Sequence, residues 1–167
     1  MNPKDFAHLK FRDIEDGYLT FTRAKTERAT RSDPRPITVF LSDDMLKIIQ
    51  RWGNKDKNPD NYISPVLTNQ TDAMKKYHMV PVFTNFINDN MAKIGARLGM
   101  ERKITTIVSR HSFSTQLKWS GARTEYIQEA LGHTDKRTTE NYLDSFGRDL
   151  KKDYSAKLLS FVIFQQI

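Results

Sequence analysis

The chain has 167 residues, with 27 Lys and Arg against 20 Asp and Glu and no cysteine. This length supports one hydrophobic core, and the lack of cysteine excludes disulfide scaffolds, cysteine-ligated zinc or iron–sulfur sites and thiol nucleophiles. The formal charge of +7 favours polyanionic partners, and no run approaches the roughly 20 apolar residues that cross a bilayer, so a soluble cytoplasmic protein is expected.

Asn2-Pro3-Lys4-Asp5 reads as a helix start, with Asn2 as N-cap, Pro3 at the first helical position and Asp5 in the first turn. The helix is short, with Phe6 and Leu9 on one face. Asp16-Gly17 marks a turn, after which Tyr18, Thr20 and Thr22 alternate with Leu19, Phe21 and Arg23 as in a half-buried strand. Ile37, Val39 and Leu41 repeat the pattern, and the polar stretch 25–32 between them is expected to be a hairpin connection. Ser42-Asp43-Asp44 caps a helix whose Met45, Ile48, Ile49 and Trp52 fall at helical spacing and which Gly53 ends. Residues 54 to about 65 read as loop, of which 54–61 form a polar surface stretch with nothing to bury.

A long amphipathic helix is expected after Pro81, with Phe83, Phe86, Ile87, Met91, Ile94 and Leu98 on one stripe, Gly95 serving packing and Gly99 the C-cap. The remainder reads mostly as helix, divided at Gly121, Gly132 and Gly147. From about Arg148 an amphipathic tail carries Leu150, Tyr154, Leu158 and Phe161, a stripe that must be buried in its own core or against a partner chain. The fold class is therefore α+β, mainly helical, with a small antiparallel sheet near the N-terminus.

Several chemistries are absent from the sequence. There is no phosphate loop ending in Gly-Lys-Ser/Thr, no Gly-x-Gly-x-x-Gly and no Gly-x-Ser-x-Gly. The four histidines, at 8, 78, 111 and 133, lack metal-ligand spacing, so neither metal nor cofactor is expected.

Three segments stand out: Ser109-Arg110-His111-Ser112-Phe113, Ala130-Leu131-Gly132-His133 and Thr139-Glu140-Asn141-Tyr142. Singly, each has an ordinary reading. Tyr142 can be a packing residue, His133 a charge after a glycine helix stop, and Arg110 a surface ion-pair partner. In this order and spacing they resemble the C-terminal signature of the tyrosine recombinases, the phage-integrase family, and particularly integrases of bacterial mobile elements. Thr22-Arg23-Ala24-Lys25-Thr26 resembles the β-hairpin lysine segment of that family.

The resemblance implies metal-free cleavage and rejoining of DNA, which needs a nucleophile, an acid for the leaving 5′ oxygen and fixed positive charge around the phosphorane. It implies that Tyr142 forms a 3′-phosphotyrosine link, that Arg110 bonds two nonbridging oxygens and that Lys25 protonates the 5′ oxygen. His133 would bond the phosphate or assist the phenol proton. Arg23, Arg28, Arg31 and Arg35 around the hairpin, with Arg102 and Lys103 before the Arg110 helix, are the expected contacts to double-stranded DNA.

The pattern departs from the family at two places. Aligning Met1–Lys10 with the first arginine motif, Gly-Leu-Arg-x-x-Glu-Leu-x-x-Leu, puts Asn2 where the arginine belongs and Asp5 at the acidic position. The polar donor expected three residues before Arg110 is Ile107. The expectation is a slow or partner-assisted site unless Arg23 or Arg28 supplies the missing charge, and the alternative is a recombinase relic that only binds DNA. Residues 1–147 read as a recombinase catalytic domain lacking its first helices, with some apolar surface left uncovered. Residues 148–167 read as a tail helix which, by analogy, docks on a neighbouring protomer in a tetramer on DNA, with accessory DNA-bending proteins as further possible partners.

Overall fold

In the computed structural model, residues 1–23, 36–143, 145 and 147–163 are described. The expected hairpin connection, with Lys25, Arg28, Arg31 and Arg35, lies outside them. The first helix, α1 (Pro3–His8), begins as the sequence indicates: the Asn2 side chain accepts from the Asp5 backbone N–H at 2.7 Å, and Pro3 occupies the first turn, where its missing N–H costs nothing. A single 3₁₀ turn, Phe11–Asp13, leads into a three-stranded antiparallel sheet of β1 (Ile14–Glu15), β2 (Tyr18–Phe21) and β3 (Ile37–Phe40), in that order. Leu19 pairs with both Ile14 and Val39, and it lies buried while Tyr18 and Thr20 face outward.

Six further helices follow among the described residues: α2 (Asp43–Trp52), α3 (Ala73–Arg97), α4 (Thr106–Trp119), α5 (Thr124–Leu131), α6 (Lys136–Glu140) and α7 (Arg148–Ile163). Two apolar clusters join the layers. Ala7, Tyr62, Leu67 and Val80 fasten α1 to α3, while Leu9, Leu19, Leu41 and Ile63 lie under the sheet with Ile49 of α2 against them. α5 packs on β3, burying Ile127 and Leu131 near Ile37. Each such fully buried aliphatic side chain contributes about 1.5–3 kcal/mol relative to exposure.

Four local readings are corrected. The long helix starts at Ala73 rather than after Pro81: Asp72 caps it, and Pro81 sits inside. Proline in a helix interior costs about 3 kcal/mol, yet the turn before it carries Val80 into the Ala7–Tyr62–Leu67 cluster, and packing outweighs the missing hydrogen bond. Residues 55–60 are exposed as read, but the two ends of the stretch are not bare surface: Asn61 is buried, and Asn54 Nδ2 lies within bonding range of the carbonyls of Tyr62, Ser64 and Leu67. These two amides replace the ladder that this irregular segment lacks, since buried backbone groups must find partners. Leu9 lies just past α1 rather than on its face with Phe6, and Phe6 instead stacks on Phe83 with centroids 6.0 Å apart. On α2, only Ile49 of the predicted stripe turns toward the core, and Trp52 is 64% exposed.

Ile48, Trp52, Tyr77, Val82, Phe86 and Leu98 are exposed. Among the described residues no helix is long and apolar enough to cross a membrane.

Candidate active site

α4 begins at the Thr105 cap and places Arg110 and His111 one turn in, at the end facing α5. α5 ends on Gly132, whose φ of +63° is the left-handed conformation that stops a helix and that glycine adopts without strain. The stop delivers His133 into the space beside Arg110. Its backbone is held from both sides, its N–H donating to Gln128 O at 3.0 Å while its carbonyl accepts from Gln128 Nε2 at 3.1 Å.

Arg110 Nη2 donates to the Leu131 carbonyl and lies 3.1 Å from His133 Nε2. A guanidinium only donates, so Nε2 must accept, and the proton of a neutral imidazole then sits on Nδ1. That nitrogen is 3.1 Å from Oγ1 of the fully buried Thr139, which receives it. The chain Arg110–His133–Thr139 thereby selects one tautomer.

α6 is a five-residue helix, and the turn that follows carries Tyr142, whose N–H donates to Thr139 O at 2.9 Å. The Tyr142 carbonyl is 3.1 Å from the buried Ser114 hydroxyl of α4. The phenol ring stacks on His111, with centroids 4.3 Å apart and planes 18° apart, and meets His133 at 5.1 Å and the Arg110 guanidinium at 5.7 Å. It is half-buried and lines an open groove of about 640 Å³ with Arg102, Lys103, His111, Trp119 and Asn141.

Arg23, just past the end of β2, reaches the turn that follows Leu131. Its Nη1 donates to Gly132 O at 2.8 Å and its Nε stands 3.7 Å from the buried carboxylate of Asp5. Burial, and next the repulsion of Arg23, hold the Arg110 proton affinity below its ordinary value, opposed by Tyr142 and Asp5. Asn2 is committed to capping α1, and Ile107 is 62% exposed, so neither supplies a polar group to this pocket.

Of the residues marked by the sequence, the structure thus brings together Arg110, His133, Tyr142 and Arg23, and it places Arg102 and Lys103, both exposed, on the groove beside Tyr142. Lys25, Arg28 and Arg31 lie outside the described residues. Sequence reasoning missed the parts played by His111, Ser114, Thr139 and the Asp5–Arg23 pair. Thr139 and His111 stood inside the motif segments already singled out, but nothing in spacing distinguishes a group that orients a neighbour from one that merely adjoins it. Among the described residues no three His, Asp or Glu side chains are grouped as a metal site would require.

Comparison with known proteins finds tyrosine recombinases among the relatives of this chain. Tyrosine recombinase XerD of Lacticaseibacillus casei is 30% identical over 118 residues, covering 58% of this chain and 39% of the relative. Tyrosine recombinase XerC of Listeria monocytogenes serotype 4a (strain HCC23) is 27% identical over 124 residues, 64% of this chain and 41% of the relative. The matched parts therefore amount to well under half of those relatives' length.

Among solved structures, the XerA recombinase superposes with a TM-score of 0.62 at 19% identity, covering 93% of this chain and 53% of that one. The Tn1549 transposon integrase in complex with a circular intermediate DNA gives 0.58 at 15% identity, covering 94% and 54%. These two likenesses establish the shared fold. The profile described as the phage integrase family matches residues 1–148, and the chain belongs to that family, the tyrosine recombinases.

Proposed function

We propose that this chain carries out the strand cleavage and rejoining of a site-specific DNA recombinase through a 3′-phosphotyrosine intermediate, in the service of a mobile element. The observation that carries the reading is the convergence of Arg110, His133 and Tyr142, from three separate elements, on one another beside an open groove that Tyr142 lines. The relatives named as tyrosine recombinases, and the integrase solved on a circular intermediate DNA, support DNA as the substrate.

In this mechanism Arg110 turns its fork from Leu131 O and His133 Nε2 onto two nonbridging phosphate oxygens. That frees the Nε2 lone pair, which takes the phenol proton as Tyr142 Oη attacks phosphorus. The P–O5′ bond breaks, and the 5′ oxygen receives a proton, a role assigned to Lys25 by its motif. Rejoining reverses each step: the 5′ hydroxyl attacks the phosphotyrosine, and His133 returns the proton to the phenol. Arg102 and Lys103, beside the groove, contact DNA phosphates along with Arg28 and Arg31, and assembly on DNA as a tetramer, with α7 docking on a neighbour, completes the proposal.

A double-stranded substrate nicked beside the scissile phosphate tests it, because the short leaving strand diffuses away and traps the adduct. A covalent protein–DNA species formed by the full-length protein and lost on Tyr142→Phe is expected. Ile107 and Asn2 favour a second reading, a relic that keeps only DNA binding; salt-sensitive binding without any adduct would select it.

A further inference from the structure

We infer that Ser114 and Trp119 are positioning residues of this site, which fasten the backbone of the segment carrying Tyr142 to α4 and so hold the phenol against Arg110 and His133. The inference takes its reaction from the strand-cleavage reading above and its geometry from the structure.

The element that carries Tyr142 is short. α6 has five residues, too few for a helix to be stable by itself, and Tyr142 lies in the turn beyond its end. The backbone N–H groups of Tyr142 and Leu143 return to Thr139 and Glu140, one turn back, and those bonds leave the turn free to move relative to α4, where Arg110 stands. His111 of α4 meets only the phenol ring. The backbone is reached by two other side chains of that helix: Ser114 Oγ lies 3.1 Å from Tyr142 O, and Trp119 Nε1 lies 3.3 Å from Ser145 O. The Trp119 ring also stands beside Gly147, where a Cβ would be 3.9 Å from it.

The Ser114 hydroxyl has one proton and three carbonyl oxygens in range. Arg110 O, at 3.1 Å, and His111 O, at 2.9 Å, belong to α4 itself, and Tyr142 O is the third. The first two already accept from backbone N–H groups in the helix ladder, whereas among the described residues no other donor reaches Tyr142 O. The proton is therefore worth most on Tyr142 O, because an acceptor without any partner is the costly one. Serine is also a weaker helix former than alanine, so α4 gains nothing from this fully buried hydroxyl on its own account. Its contribution is to join the arginine-bearing helix to the tyrosine-bearing turn.

Removing either donor leaves the charges of the pocket in place and lets the turn spend part of its time away from Arg110. The cleavage rate then falls with the docked fraction, while DNA contact, which the reading above gives to Arg102 and Lys103, is untouched.

The test is single-turnover adduct formation on the nicked substrate by the full-length protein, wild type against Ser114→Ala and Trp119→Phe, with DNA affinity measured alongside. Each substitution removes one donor and keeps most of the side-chain volume. A hydrogen bond of ordinary net strength corresponds to a rate loss of about 2- to 10-fold, which is expected in each variant with DNA affinity unchanged. A wild-type rate in either variant overturns the inference. So does a loss of DNA affinity in parallel with the rate, or a failure to fold, since both mark a general structural role.

A second measurement does not depend on cleavage. A carbonyl carbon resonates further downfield when its oxygen accepts a hydrogen bond. Without DNA, the ¹³C′ signal of Tyr142 is therefore expected to move upfield in Ser114→Ala, and that of Ser145 in Trp119→Phe. If no protein, wild type included, forms an adduct while both signals move, the strand-cleavage reading falls and the fastening stands. Signals that stay in place overturn the fastening.

Discussion

The imidazole of His111 lies against the phenol of Tyr142, 4.3 Å between centroids and 18° between planes, so the residue directly after the central arginine of the pocket orients the tyrosine ring. Aromatic pairs contribute about 0.5–1.5 kcal/mol beyond burial, enough to bias a ring that hangs on a short turn. His111→Ala is expected to slow adduct formation by about 2- to 10-fold with DNA affinity unchanged, and His111→Phe, which keeps a ring in place, to restore it. Single-turnover adduct assays read both. A phenylalanine variant as slow as the alanine one would mean that the ring stack is not what matters.

His133 depends on Thr139 for its tautomer. Thr139→Val keeps the shape of a fully buried side chain but removes the acceptor 3.1 Å from Nδ1, and loss of a buried hydrogen-bond partner costs about 1–3 kcal/mol. The proton is then expected to redistribute toward Nε2, visible in the ¹⁵N shifts of the ring, and adduct formation should fall in parallel. Unaltered ¹⁵N shifts would contradict the tautomer assignment.

Gly132 is required twice, by its φ of +63° and by the side chains of Arg23 and Ile37 packed where a Cβ would stand. Gly132→Ala carries at least the ~1–2 kcal/mol cost of a left-handed non-glycine residue, and the displaced Arg23 adds to it. A lowered midpoint in urea unfolding is expected. A variant as stable as wild type would refute the close packing of Arg23 on this turn.

The α3 N-terminus gives a pH dependence whose sign is fixed. Asp72 accepts from the Lys75 backbone N–H at 2.8 Å, and that bond foremost holds its carboxyl below the ordinary 3.8. A depressed carboxyl contributes stability that is complete above its unfolded value and is lost as pH falls through the folded one. The first turn of α3 should therefore begin to fray below about pH 4, read as faster amide exchange at Lys75, and Asp72→Ala should show that exchange already at neutral pH.

Arg102 and Lys103 line the groove beside Tyr142, and the proposed function has them contact phosphates. Replacing both with alanine is expected to weaken DNA binding regardless of sequence and to reduce the slope of log K against log salt by about 2 units, roughly 0.9 for each phosphate that is no longer neutralised. A slope equal to that of wild type would remove them from the interface.

Much of this molecule was legible in one dimension because the signals were local. The Asn2 and Ser42 caps, the alternation around Leu19 and the glycine stop at 132 each act within a turn or a strand, where side-chain chemistry and backbone geometry determine one another directly. The motif residues Arg110, His133 and Tyr142 were likewise readable, since their order along the chain survives whatever the fold does.

Tertiary structure decided what depends on distance between remote segments. Pro81 stays inside a helix because Val80 reaches a core formed by Ala7, Tyr62 and Leu67, and no local propensity contains that information. Asn54 and Asn61 have the polarity of solvent-facing residues, and only the winding of a backbone without a ladder around them makes them internal partners. Arg23 was one basic residue among several near a hairpin. Only the packing of the sheet against the end of α5 turned it inward to Gly132 and Asp5, since a charge acquires a role from the groups that surround it and those are assembled from both ends of the chain.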